Sequence, residues 1–133
     1  MVSCTLILLD MKTLMLCALI LISMSVFAQQ SDTLYSYTNI GGKEVKKEKA
    51  INVYKVYKLD SAIWVRTTSN HNLILLKRET FSDEKLTILN GSYVEYENGK
   101  VKLKGSYIDG KKTGTWIVYG KDGQVEQSIK YDN

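Results

Sequence analysis

Gly91-Ser92-Tyr93-Val94-Glu95-Tyr96-Glu97-Asn98-Gly99-Lys100 returns as Gly114-Thr115-Trp116-Ile117-Val118-Tyr119-Gly120-Lys121-Asp122-Gly123-Gln124. Tyr93 aligns with Trp116 and Tyr96 with Tyr119; Gly99 aligns with Gly123 after Gly120 adds one residue to the second turn. Tyr107-Ile108-Asp109 has its echo in Tyr131-Asp132-Asn133. The repeating unit reads as a β-hairpin, because Asn98-Gly99 and Asp122-Gly123 are tight-turn dipeptides that tolerate positive φ and flank strand-like runs. Asp109-Gly110-Lys111 marks the turn between units.

The strands inside the unit alternate. Val101, Leu103, Gly105 and Tyr107 share one face, and Lys100, Lys102, Lys104 and Ser106 the other. Val125, Gln127, Ile129 and Tyr131 alternate in the same way with Glu126, Ser128 and Lys130. Working upstream, a worn third copy puts Trp64 at the Trp116 position, Asn70-His71-Asn72 at the turn and Phe81-Ser82-Asp83 at the Tyr-x-Asp. Ile51 to Leu59, Ala62 to Thr68, Leu73 to Phe81 and Leu86 to Leu89 read as four more strands, rich in Tyr, Val, Ile and Leu. Asp32 to Gly42 adds a possible edge strand, and Lys43 to Ala50 a helical turn or two too charged for a core helix. No segment after the first 28 residues shows a sustained 3.6-residue apolar period. The expected fold is all-β, a meandering antiparallel sheet of six to eight strands built from hairpin repeats.

At the other end of the chain, Met11-Lys12-Thr13 gives a cationic start, Leu14 to Phe27 an apolar run, and Val26-Phe27-Ala28 small side chains three and one residues before a cut ahead of Gln29. That order reads as a secretory signal cleaved after Ala28. The run Thr13 to Ala28 is 16 residues, short of the ~20 that a membrane span needs. Met1 to Asp10 looks like an over-long start, with Met11 the initiator. The expected organisation is therefore a leader over 1–28, a poorly patterned segment over 29–50, and a β-hairpin repeat domain over 51–133, clearest over 91–133.

The expected destination is export, periplasmic or extracellular. No lipid anchor is expected, because Cys17 lies inside the apolar run rather than at its end. Cys4 and Cys17 both fall in the leader, leaving the mature chain without a thiol. Removing Lys12 and Asp10 with the leader keeps the net charge at +4.

The pattern Gly91-x-Tyr-x-x-Tyr-x-Asn-Gly-Lys, followed by Lys104-Gly105-Ser106-Tyr107-x-Asp-Gly110-Lys111-Lys112-x-Gly114-x-Trp116-x-x-Tyr119-x-x-Asp-Gly123, resembles tandem MORN-repeat variants. These are the bacterial form often labelled YwqK-family antitoxin. The resemblance covers residues 76–133 well and 51–75 weakly. It implies an all-β stack of hairpins that binds proteins or lipid headgroups. It attaches no catalytic residue to the motif.

The chemistry-bearing residues point the same way. His71 is the single histidine, set in a turn, whereas a metal site needs three or four converging ligands. The carboxylates form no Asp-x-Asp-x-Asp loop, no Gly-x-Ser-x-Gly elbow occurs, and the glycines precede no helix that would present N–H groups to phosphate. A non-enzyme without a cofactor is expected. The residues that can bind are lysines: Lys100, Lys102, Lys104, Lys111 and Lys112, interleaved with Tyr107 and Tyr119. A second basic stretch runs from Lys43 through Lys46, Lys47 and Lys49 to Lys55 and Lys58. Such a surface can meet anionic headgroups, glycans or nucleic acid, although a charge run is usually the solvated face and lysine also guards sheet edges.

The expected role is a binding or scaffold surface for an envelope component, with a protein partner. Antitoxin-like neutralisation of a partner protein is the alternative, and peripheral contact with anionic lipid a weaker one. Nucleic acid and small-molecule substrates are not expected.

Overall fold

Asn98 and Gly99 both take positive φ, 51° and 77°, as do Asp109 and Gly110 at 48° and 78°. Positive φ at both central residues is what a two-residue hairpin turn needs to match the strand twist. These turns set the topology. The computed structural model describes residues 32–132, and these form one antiparallel sheet in sequence order: β1 (Leu34–Thr38), β2 (Asn52–Lys58), β3 (Trp64–Asn70), β4 (Leu75–Phe81), β5 (Leu89–Glu97), β6 (Lys100–Ile108), β7 (Lys111–Tyr119) and β8 (Val125–Tyr131). The only helical element among them is a single 3-10 turn, Lys47–Lys49, in the charged segment before β2. No described helix is long and apolar enough to cross a membrane. The leader, with Met11, Cys4, Cys17 and the cleavage point after Ala28, lies outside the described residues.

The expected meander is thus present, at its upper strand count, with two local corrections. Leu86 to Leu89 is not a strand of its own. The Asp83 carboxylate accepts hydrogen bonds from the Thr87 and Ile88 N–H groups and from the Thr87 hydroxyl, and Leu86 turns to φ 56°. That wraps the segment into a loop, and extended pairing resumes only at Leu89. The Ile88 N–H and its fellow donors hold the Asp83 carboxyl below the usual value. The second correction concerns Asp122-Gly123, where only Gly123 takes positive φ, 83°. The Gly120 N–H bonds to the Gln124 carbonyl and the Gly123 N–H to the Gly120 carbonyl, so this is a wider loop that accommodates the extra Gly120.

One face of the sheet carries an aromatic cluster. Tyr107 and Trp116 meet edge-on at 5.1 Å between centroids, Tyr93 stands 5.5 Å from each of them, and Tyr131 lies 6.2 Å from Trp116. Trp116 is 2 % exposed. Its indole lies across Gly105 on β6, where a Cβ would come within 2.2 Å of the indole carbons, and its Nε1–H donates to the Ser106 carbonyl at 3.2 Å. Gly91 and Gly114, at φ 98° and 63°, stand opposite Tyr107 and Tyr131 in the two hairpins. Lys112 caps the cluster with its ammonium 4.3 Å from the Trp116 ring centroid, a cation–π contact.

The worn upstream copy is offset from the alignment by two residues. Trp64 pairs with Phe81 as Gly114 pairs with Tyr131, so the slot of Trp116 in β3 belongs to Arg66. Its guanidinium stands 5.0 Å over the Phe81 ring and bridges Glu79 at 2.9 Å. Glu79 is 4 % exposed and takes a second bridge from Lys77 at 3.2 Å. The charge that occupies the Trp116 slot in this copy is thus matched by a carboxylate.

Truncating a large buried aromatic costs ~3–5 kcal/mol against a total of ~5–15 kcal/mol for a domain. Trp116→Ala is therefore expected to leave the domain largely unfolded, while Lys102→Ala on the opposite face costs less than about 0.5 kcal/mol. Thermal melts of the two variants check it, and a Trp116→Ala melt like that of the wild type would mean the indole is displayed rather than packed.

The cluster also sets an alkaline limit. Burial pushes the Tyr93 hydroxyl well above its usual 10.0, reinforced by its hydrogen bond to Glu95, and burial, followed by the Glu79 charge, raises Tyr107. Both shifts are upward, so the stabilisation is complete below the usual tyrosine value and is lost as pH climbs above it, when the unfolded chain ionises first. Denaturant midpoints should hold steady from about pH 7 to about pH 9 and fall above about pH 10.

Candidate functional basic face

The opposite face is where the cations gather. Strand pairing aligns Tyr35, Lys55, Thr67, Arg78, Val94, Lys104, Ile117 and Ser128 directly across all eight strands. Lys55, Arg78 and Lys104 occupy alternate strands of this row, and adjacent strands lie about 4.8 Å apart. The cations are therefore spaced by roughly 10 Å along a line perpendicular to the strands. Lys102 sits on the same face of β6 and bridges Glu97 at 3.1 Å, with both side chains about half exposed (50 % and 47 %).

A shallow depression of about 200 Å³ beside this row is lined by Glu97, Lys100, Lys102, Tyr119 and Lys121. An adjoining one, about 450 Å³, adds Lys104 and Asp122. Lys104 stands 5.3 Å over the Tyr119 ring, and Lys100 donates to the Lys121 carbonyl at 3.4 Å. Tyr119 lines both depressions, and around it stand the ammonium groups together with the Glu97 and Asp122 carboxylates. Those ammonium groups can bind carboxylates or phosphates as exposed point charges.

The five lysines expected to act together are divided by the pleat. Lys100, Lys102 and Lys104 line or border the depression, and Lys111 stands opposite Ile108 beside the Asp109-Gly110 turn. Lys112 points to the other face, over Trp116 and Tyr131. Adjacent strand residues alternate faces, so Lys111-Lys112 cannot serve one surface. Arg78 and Lys121 were not among the expected residues. Arg78 becomes visible only from pairing, because its row neighbours are remote in sequence.

A further cleft of about 540 Å³ opens at the β1–β3 end, lined by Tyr35, Tyr37, Lys47, Val53, Lys55, Thr67, Ser69, His71 and Leu73. Lys55 stands at once in this cleft and in the cation row. His71 is an exposed turn residue, next to Asn70, whose side-chain oxygen accepts from the Asn72 and Ile74 N–H groups at 3.0 and 2.9 Å. Among the described residues no three His, Cys, Asp or Glu side chains converge as metal ligands would.

Comparison of the chain with family models, with curated proteins and with solved structures finds no match.

Proposed function

We propose that the protein is an exported, non-catalytic β-sheet scaffold whose basic face binds an acidic protein of the cell envelope. The observation that carries this reading is the register row in which Lys55, Arg78 and Lys104 alternate with Thr67 and Val94, beside the lysine-rimmed Tyr119 depression. Glu79, the buried acid of the sheet, is matched by Arg66 and Lys77 on the aromatic side. The cations of the basic row thus face outward while the sheet's internal charges are compensated. The leader read in the sequence supplies the compartment, and the resemblance to MORN-repeat variants supports protein binding. The same resemblance supports an antitoxin-like role toward a partner protein, which differs in the partner's identity and not in the surface used.

Peripheral attachment to anionic lipid is a second reading with one observation in its favour. Ile108, 55 % exposed, lies on the basic side of β6 next to Lys111, giving the face an apolar tip beside its charges, as interfacial binders have.

The test is capture from the protein's own envelope fraction, with wild type beside a Lys55→Glu/Lys104→Glu variant. Wild type should retain a defined acidic partner that about 0.5 M salt releases, as screening over about 4 Å predicts, and the variant should lose it while melting normally. Retention by the reversed-charge variant contradicts the role of this face. Binding to vesicles containing phosphatidylglycerol, with no protein retained, would select the lipid reading instead.

A further inference from the structure

The two edges of the sheet are finished differently. At β1 the chain folds back over the C-terminal end of the edge: Val45 N–H bonds to the Tyr37 carbonyl at 2.9 Å, and Glu44 forms a bridge with Thr38. At β8, among the described residues, nothing pairs with the outer edge. Natural sheets blunt such an edge with proline, a bulge or an inward charge. The chain has no proline, and the one shift in the pairing of β8 with β7 falls at its Val125–Glu126 end, leaving Gln127 to Tyr131 regular. Val125 and Ile129 are 56 % and 37 % exposed on it.

The sequence of this strand, Val125-Glu126-Gln127-Ser128-Ile129-Lys130-Tyr131, is complementary to itself in the antiparallel sense. We propose that two copies of the protein join β8 to β8 about a twofold axis through Ser128. A twofold perpendicular to the sheet keeps each face continuous and must pass through a residue. With the axis at Ser128, Glu126 of each copy stands opposite Lys130 of the other, Val125 opposite Tyr131, and Gln127 opposite Ile129. Opposed charges, an apolar–aromatic pair and a small hydroxyl pair at the axis are all favourable cross-strand partners. The neighbouring axes are poorer. Centring on Ile129 sets Glu126 against Asp132, two like charges, and centring on Gln127 sets Glu126 against Ser128 and leaves both ion pairs unmade.

Lys130 is available for this exchange. Its present partner is Asp132 at 3.3 Å, with the two side chains 76 % and 82 % exposed, a contact that water and salt readily replace. Ser128 also ends the row that contains Lys55, Arg78 and Lys104, so this axis makes the cation rows of the two copies collinear. The seam is one strand wide, below the area of a standard interface, and the net charge of +4 opposes it. The association is therefore a concentration-dependent monomer–dimer equilibrium.

Sedimentation velocity of the protein as isolated, over a concentration series at low salt, tests the proposal. Wild type should shift from monomer to dimer with concentration. Glu126→Lys alone and Lys130→Glu alone should each weaken dimerisation by about tenfold or more, since both symmetry-related pairs turn repulsive. An equimolar mixture of the two single variants should form heterodimers, and the Glu126→Lys/Lys130→Glu double variant should dimerise like wild type. Circular dichroism confirms that the variants, all at exposed positions, remain folded. A wild type that stays monomeric at the highest concentration overturns the proposal. So do single variants that dimerise as wild type does, or a mixture that fails to associate.

Discussion

The sheet depends on Trp116 lying flat across the bare backbone of Gly105. Among the described residues no second layer covers the meandering sheet, so it needs side chains that reach over neighbouring strands. The indole does this from β7: it covers β6 at Gly105, bonds the Ser106 carbonyl, and meets Tyr93 from β5, Tyr107 from β6 and Tyr131 from β8. One side chain thereby ties four strands together. The arrangement requires residue 105 to have no side chain, and the ladder between β6 and β7 shifts at that point to admit the ring.

One face holds the aromatic cluster, while the other carries the cation row around a buried patch at Val65 and Thr80. Glu79 is compensated on the aromatic side by Arg66 and Lys77, and Lys112 is taken up by the aromatic rings. Lys55, Arg78 and Lys104 project from the opposite side in one register row. The aromatic cluster and the cation row are therefore separated by the pleat, and the row's cations are exposed or half-buried, so reversing their charge costs the fold little. The same separation lets β8 extend the sheet without disturbing either surface.

The period-2 pattern of β6 made its two faces legible at once, and the Asn-Gly and Asp-Gly dipeptides marked the hairpins. The aromatic cluster was legible too, since Tyr93 and Trp116 recur at equivalent points beside Tyr107 and Tyr131. What could not be read was register between distant strands. Every ladder from β3–β4 onward carries a shift, and local spacing does not reveal how many residues each one absorbs. Arg78 was missed as a member of the cation row for that reason, and Trp64 was aligned two residues from its true equivalent. The loop at Leu86 had a local cause, the Asp83 carboxylate drawing Thr87 and Ile88 back toward it, against the extended preference of an apolar run.

The thermal midpoint of Gly105→Ala tests the central claim most directly, because the two accounts of this residue differ in sign. Gly105 carries none of the positive φ values, so on backbone grounds alone alanine should stabilise the strand by roughly 0.5–1 kcal/mol. If the indole occupies that space, the added methyl displaces it and overpacking costs about 1–3 kcal/mol, which in a domain of this size lowers the midpoint by about 4–8 °C for each kcal/mol. The account predicts the lower midpoint. A Gly105→Ala protein that melts at or above the wild-type temperature would contradict it.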